Sequence, residues 1–197
     1  MTERFILASG SAARRAMLEA AGLDFEVVRP DVDEEALKAT LSHLDARELA
    51  VELARAKALS VSRARPGAWA LGSDQTLEFN GRLISKAIDL DEARRRLAAM
   101  RGRDHALHSG AALARNGAVV WSGADSVEMR MRQVSDAFLD AYLAAEGDSL
   151  LEVVGSYRLE GRGAQLFSSI DGDHFTVLGL PLWPVLEELR RAGVIAT

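Results

Sequence analysis

Apolar and polar positions along this chain switch repeatedly between a helical period and a strand period. Phe5-Ile-Leu-Ala8 is a short unbroken apolar run, the pattern of a buried strand. Ser9-Gly-Ser11 is a small-residue turn, and an amphipathic stretch follows to Gly22. Ser11 can cap that helix and Gly22 can end it. Phe25 to Val28 reads as a strand, and Pro30 to Glu35 opens an acidic helix in which Asp31 and Glu34 have capping-box spacing. Asp45 and Glu48 repeat the box at the start of a long helix, with Leu49, Leu53 and Ala56 on one face, ended by Pro66-Gly67. Trp69 to Asp74 and Gln75 to Phe79 are strand-like runs. Asn80-Gly81 signals a hairpin, with Arg82 to Lys86 as the return strand. Asp89 to Glu92 caps a helix running to about Met100 that Gly102 stops. His105 to Leu113 and Ala118 to Met131 read as strands around an Asn116-Gly117 turn. A helix begins at Ser135, runs through Tyr142 and is closed by Gly147. Gln165 to Ile170 is a strand, and Val177 to Leu182 leads into a final helix with Pro181 near its first turn and Gly193 after its last. No repeat, low-complexity tract or linker is visible.

This alternation makes an α/β chain, mixed α+β in detail. Its 197 residues suit one large domain, or two lobes sharing a sheet. Hydrophobic residues make up 48%, an ordinary globular share. The net charge of -5 argues against general binding to nucleic acid or to an anionic membrane, though a local basic cleft is compatible with it. There is no Cys, which excludes a disulfide framework, a thiolate zinc site and a Cys nucleophile. The first apolar run is too short for a signal peptide or a membrane span, and no later stretch qualifies, so a cytoplasmic location is expected.

The candidate chemistry lies in three places. Arg14 and Arg15 occupy the first turn of their helix, the end that favours anions over cations. An anion bound at the turn would remove the conflict, since amides, hydroxyls and guanidinium groups would converge on it. Two solvated arginines on a capped surface helix are the alternative. Asp74 follows two small residues between apolar runs, and strand interiors are poor in Asp. The hairpin could present Asp74 and Lys86 to one cleft. Lys57 alone reads as a solvated helix residue. For the cluster at Asp31 to Glu35, capping is one reading and a metal-facing carboxylate at Asp33 or Glu34 the other. His105 and His108 are offset by an odd number, which points them to opposite faces of a strand, so they are read as ordinary sheet residues. Phosphate-loop, dinucleotide-turn, nucleophile-elbow and H-E-x-x-H signatures are all missing. What remains is a polyanion site, the Ser9 to Arg15 turn with Lys57 and Lys86 as cations and Glu34 and Asp74 as carboxylates able to hold a divalent ion. Magnesium commonly takes one or two carboxylates plus substrate phosphates, which suggests phosphate-ester or phosphoanhydride chemistry.

These residues carry a resemblance. The chain resembles the Maf family of nucleoside triphosphate pyrophosphatases over nearly its full length. The matching motifs are Leu7-Ala-Ser-Gly-Ser with Arg14-Arg15 and Val32-Asp-Glu34; Ala54-Arg-Ala-Lys57-Ala; Gly72-Ser-Asp74 with Gly81, Lys86 and Asp91-Glu-Ala93; and Gly155-Ser-Tyr157, Gly161 and Val177-Leu-Gly-Leu-Pro-Leu182. The resemblance implies one Maf-like domain over residues 1–197. It implies two lobes around an elongated mixed sheet with flanking helices, an ITPase-like arrangement with the nucleotide between the lobes. It implies hydrolysis between the α- and β-phosphates to a nucleoside monophosphate and pyrophosphate, with magnesium or manganese as cofactor, a nucleoside triphosphate as partner and a homodimer. Asp74 carries over as the catalytic acid–base residue, with Glu34 as a metal-side carboxylate and Asp74 also placed to hold the metal. Ser9, Arg14, Lys57 and Lys86 carry over as triphosphate ligands, with Arg15, Gln75 and Glu160 in the substrate-binding set.

Ser73-Asp74-Gln75 and Glu160 resemble the branch of the family that prefers 7-methyl-GTP. The branch acting on dTTP and UTP more often has Thr after the Asp and Gln in the glycine-rich loop. A carboxylate at Glu160 could accept hydrogen bonds from guanine N1–H and N2–H and would suit a cationic methylated base. The chain departs from the family pattern at Ala12, where Pro is usual, at Ala13, where Trp or Arg is usual, and at Ala87, where Pro follows the lysine. A house-cleaning pyrophosphatase is the leading reading. A dTTP/UTP enzyme of the same family and a non-catalytic nucleotide-binding regulator of cell division are the alternatives.

Overall fold

The computed structural model describes residues 4–196. Its seven-stranded sheet places strands 26–27, 5–8, 69–79, 104–115, 118–131 and 167–171 side by side in that order, with strand 82–84 paired to 69–79. The elements in chain order are β1 (Phe5–Ala8), α1 (Ala12–Ala20), β2 (Glu26–Val27), α2 (Glu34–Thr40), α3 (Ala46–Ala64), β3 (Trp69–Phe79), β4 (Arg82–Ile84) and α4 (Leu90–Met100). They continue with β5 (Asp104–Arg115), β6 (Ala118–Met131), α5 (Asp136–Glu146), β7 (Phe167–Asp171), α6 (His174–Val177) and α7 (Leu182–Arg191), and short 3-10 turns cover Gly147–Glu152 and Arg162–Leu166. The chain forms two compact units. The first comprises Met1–Gln75, His108–Asp125 and Asp173–Thr197, and the second Thr76–Leu107 and Ser126–Gly172. Among the described residues no helix is long and apolar enough to cross a membrane.

In the first unit β1 runs parallel to both β2 and β3. Every residue of β1 is buried, as a parallel strand covered on both faces requires. Phe5 and Leu7 join Trp69, Leu71, Met17, Leu18, Val185 and Leu189 in one core cluster, while Ile6 and Ala8 join Ala70 and Val61 in another. Odd and even positions of β1 and β3 therefore face opposite layers, α1 with α7 on one side and α3 on the other.

The α3 layer is unusually close. A Cβ built on Gly72 would lie 2.2 Å from the Ala54 carbonyl oxygen, and one on Gly110 would lie 2.3 Å from that of Ala50. Helix backbone thus packs directly on sheet backbone. The buried face of α3 comprises Leu49, Ala50, Leu53, Ala54, Lys57, Ala58 and Val61. Ala56 is not on it. It borders a groove of about 620 Å³ with Leu37, Leu59 and Arg63.

In the second unit β6 and β7 pair antiparallel, with a bulge at Arg130–Met131. The Asn80–Gly81 turn has positive φ at both residues, 53° and 70°, the two-residue hairpin geometry that this dipeptide favours. Its ladder runs from Phe79–Arg82 to Leu77–Ile84 and stops there, so Lys86 lies outside the return strand expected to end at it. His105 is buried, and its Nε2 lies 2.6 Å from the Tyr157 hydroxyl. Tyr157 meets Phe167 edge-on at 4.7 Å. Burial pushes His105 down to about 4, against a weaker upward pull from Asp104, and burial pushes Tyr157 up.

Other boundaries also shift. The cap of α2 is Asp33, which accepts from the Ala36 amide, rather than Asp31. The stretch expected as one strand from Gln165 splits into a 3-10 turn ending at Leu166 and β7. The two runs either side of Asp74 are one continuous strand.

Two stability predictions follow from this packing. Gly72→Ala drives a Cβ into helix backbone that cannot yield by rotating, so urea denaturation should show a loss of about 3 kcal/mol or more, and Gly110→Ala should behave alike. The His105 proton gives the second. Its folded pKa lies below the unfolded one, so between pH 6.5 and about 4 the unfolded chain binds more protons and stability falls as pH falls. The full contribution is present above pH 6.5, and roughly 3 kcal/mol of it is lost on acidification to pH 4. Urea midpoints of the wild type compared with His105→Gln across that range should isolate this slope.

Candidate functional site

The even parity of Asp74 on β3 turns its side chain toward α3, where Lys57 comes down from the buried helix face. Lys57 Nζ lies 2.6 Å from Asp74 Oδ1 and 2.9 Å from Glu34 Oε1. The Lys57 and Asp74 side chains are only 8% and 12% exposed, while Glu34 is 40% exposed at the first residue of α2. Ser60, one turn beyond Lys57, anchors the approach to α2: its hydroxyl accepts from the Asp31 amide and lies 3.2 Å from the Asp31 carbonyl. One ammonium thus bridges two carboxylates from different elements.

Arg14 belongs to the same electrostatic group. Ser11 caps α1, accepting from the Arg14 amide, and Arg14 itself is buried. Its Nε donates to the Gly179 carbonyl at 2.7 Å and its Nη1 to Ser9 Oγ at 3.1 Å. Burial lowers the guanidinium pKa, while the charges of Asp74 and Glu34 oppose that shift. Those carboxylates offset part of the cost of a cation in the first helical turn. Ser9 is buried as well, and its hydroxyl also accepts from the Ser11 amide.

The structure therefore gathers Ser9, Arg14, Glu34, Lys57 and Asp74 in the first unit. Arg15 is not with them. It is exposed and pairs with Glu19 at 3.6 Å along the outer face of α1. Gln75 lies on the opposite face of β3 from Asp74, where its side-chain amide meets backbone carbonyls of residues 176 and 177. Lys86 and Glu160 belong to the second unit and are exposed. The role of Lys57 had a readable signal: it is four residues after Leu53 and four before Val61, on the apolar stripe rather than off it. Gly179 and Ser73 lie within motifs that carry the resemblance, but no local pattern gave their roles, which depend on contacts across more than a hundred residues of sequence.

As a donor set, Asp74 and Glu34 offer hard oxygens that already converge on one cationic nitrogen. This suits magnesium or manganese provided phosphate oxygens complete the shell. Among the described residues no group of three or more His, Asp and Glu side chains could hold a metal unaided.

Fold and site together define a mixed α/β protein with a largely buried cluster of paired carboxylates and cations at a strand facing a helix. The chain belongs to the Maf family, whose model, described as Maf-like protein, matches residues 4–192. It is 49% identical over 197 residues to the 7-methyl-GTP pyrophosphatase of Mesorhizobium japonicum, with 99% of each chain covered. It is 49% identical over 191 residues to the nucleoside triphosphate pyrophosphatase of Caulobacter vibrioides, with 96% of each covered. Among solved structures, a HAM1 protein from Coxiella burnetii matches with a TM-score of 0.41 and 18% identity, over 66% of this chain and 74% of that one.

Removing the bridging ammonium leaves two carboxylates facing each other, one of them buried. Lys57→Met should cost about 3 kcal/mol or more in urea denaturation at pH 7. Adding Asp74→Asn to that variant should recover part of the loss, which a double-mutant cycle measures directly.

Proposed function

We propose that the protein is a nucleoside triphosphate pyrophosphatase, hydrolysing the anhydride between the α- and β-phosphates to release a nucleoside monophosphate and pyrophosphate, with 7-methyl-GTP as substrate. The observation that carries this reading is the Lys57 ammonium held between Asp74 and Glu34, with buried Arg14 coupled to the same carboxylates. The relatives named as pyrophosphatases over the full chain length support the reaction class. Substrate choice is supported by the relatives named 7-methyl-GTP pyrophosphatase, from Mesorhizobium japonicum and Brucella suis, and by Glu160.

In this reading Arg14 engages phosphate oxygens with its planar fork and Lys57 acts as a point charge on the same chain of phosphates. Triphosphate binding would draw Lys57 away from one carboxylate and free that carboxylate for a cation. Asp74 and Glu34 would hold magnesium or manganese, which when bound neutralises phosphate charge and sharpens a water as nucleophile. Asp74 would accept the proton of the attacking water or help to hold the metal. Ser9 fixes the Arg14 fork. Lys86 and Glu160 lie in the second unit, and their roles as a triphosphate cation and a reader of the guanine edge rest on the family resemblance alone.

Purified protein incubated with 7-methyl-GTP, GTP, dTTP, UTP and CTP, with magnesium or manganese, should release pyrophosphate fastest from 7-methyl-GTP. Asp74→Asn should lower kcat by at least about 100-fold. Fastest turnover of dTTP or UTP would move the protein to the other branch, and tight nucleotide binding without turnover would make it a binding protein.

A further inference from the structure

The strand residues flanking Asp74 carry a second device. Gln75 Nε2 lies 3.0 Å from the Thr176 carbonyl, 3.0 Å from the Val177 carbonyl and 3.1 Å from Ser109 Oγ. Facing two carbonyl oxygens, this atom must be the amide nitrogen, and its two protons are consumed by the protein. Ser109 adds to the same anchor, donating to the Thr176 carbonyl at 2.7 Å. Two residues before Gln75, on the same face, the Ser73 hydroxyl lies 2.9 Å from the Gly179 carbonyl and 2.7 Å from that of Gly110. That Gly179 oxygen is also the acceptor for Arg14 Nε. Gly179 has φ +96°, and a Cβ there would sit 3.3 Å from Arg14 Nη2, so the segment is shaped to bring a bare carbonyl up to the guanidinium.

We propose that Gln75 is not a substrate ligand but a positioning residue: with Ser73 and Ser109 it straps residues 176–179 to the sheet so that the Gly179 carbonyl aims Arg14. The kinetic part of this rests on the pyrophosphatase reading above, while the geometric part does not. One strand thereby serves two ends. Asp74, on its α3 face, faces Lys57, and Ser73 and Gln75, on the opposite face, set the orientation of Arg14. A side-chain amide suits the strap because it offers two donors to two carbonyls without a charge. Glu at this position would keep the shape, lose both donors and set a carboxylate against two carbonyl oxygens.

The test has a structural arm and a kinetic arm. In the first, hydrogen exchange of the Arg14 Nε–H is followed by 15N NMR in the wild type, Gln75→Leu and Gln75→Glu. Exchange about tenfold faster in Gln75→Leu, and faster again in Gln75→Glu, is expected when the Gly179 acceptor drifts. Unchanged exchange overturns the proposal whatever the enzyme does. In the second arm, Gln75→Leu should raise KM for the triphosphate about tenfold, with a smaller effect on kcat. In an Arg14→Lys background the same change should have less than about a twofold effect, because its target is gone. Effects that multiply instead would mean Gln75 meets the substrate itself, and would overturn the proposal. Faster exchange in a protein that hydrolyses none of the nucleotides would uphold the strap and remove the pyrophosphatase reading. If Gln75→Leu does not fold, Ser73→Ala and Ser109→Ala test the same strap with the same readouts.

Discussion

The close approach of α3 to the sheet is the constraint on which the site depends. Glycine at 72 and 110 lets helix carbonyls come within a distance that any Cβ would forbid. At that separation a lysine on the buried helix face cannot reach solvent by a short path, and its ammonium ends among the side chains of β3 and α2. Burying such a charge is costly unless it is paired. Asp74 and Glu34 pair it from two directions, which turns a packing constraint into a charged site of defined composition.

The same strand organises the other half of the site through its two-residue period. Parity separates Asp74 from Ser73 and Gln75, so three adjacent residues work on both layers of the first unit. The left-handed glycine at 179 carries the influence of one layer to Arg14, a residue near the other end of the sequence. Arg14 accepts the unfavourable end of its helix because the carbonyl of Gly179, the hydroxyl of Ser9 and two nearby carboxylates all favour its charge.

The second unit is arranged differently. Its polar centre is the His105–Tyr157 pair, held neutral by burial and packed on Phe167. Gly155 precedes Tyr157 because a Cβ there would fall 2.3 Å from the tyrosine ring, which folds back over it. This pins the start of the glycine-rich loop that carries Glu160, while Glu160 itself stays exposed.

The amino-acid sequence by itself determined the elements and many of their ends. Ser11, Asp45, Asp89 and Ser135 cap the helices that their spacing announces, and Asn80-Gly81 makes its hairpin, because caps and tight turns are settled by residues a few positions apart. It also singled out Asp74, since an acid inside an apolar strand has no local reason to be there. Only the tertiary structure decided which charges meet. Lys57, solvated when read alone and a site cation when read with the other motifs, is buried; Arg15, read beside Arg14, faces water; and Gln75, expected in the substrate-binding set, meets backbone carbonyls. The physical reason is the same each time: a long polar side chain has no preferred partner within its own helix or strand. Its partner is set by how closely two layers pack and which strand face looks at which layer, and those distances exist only in the folded chain.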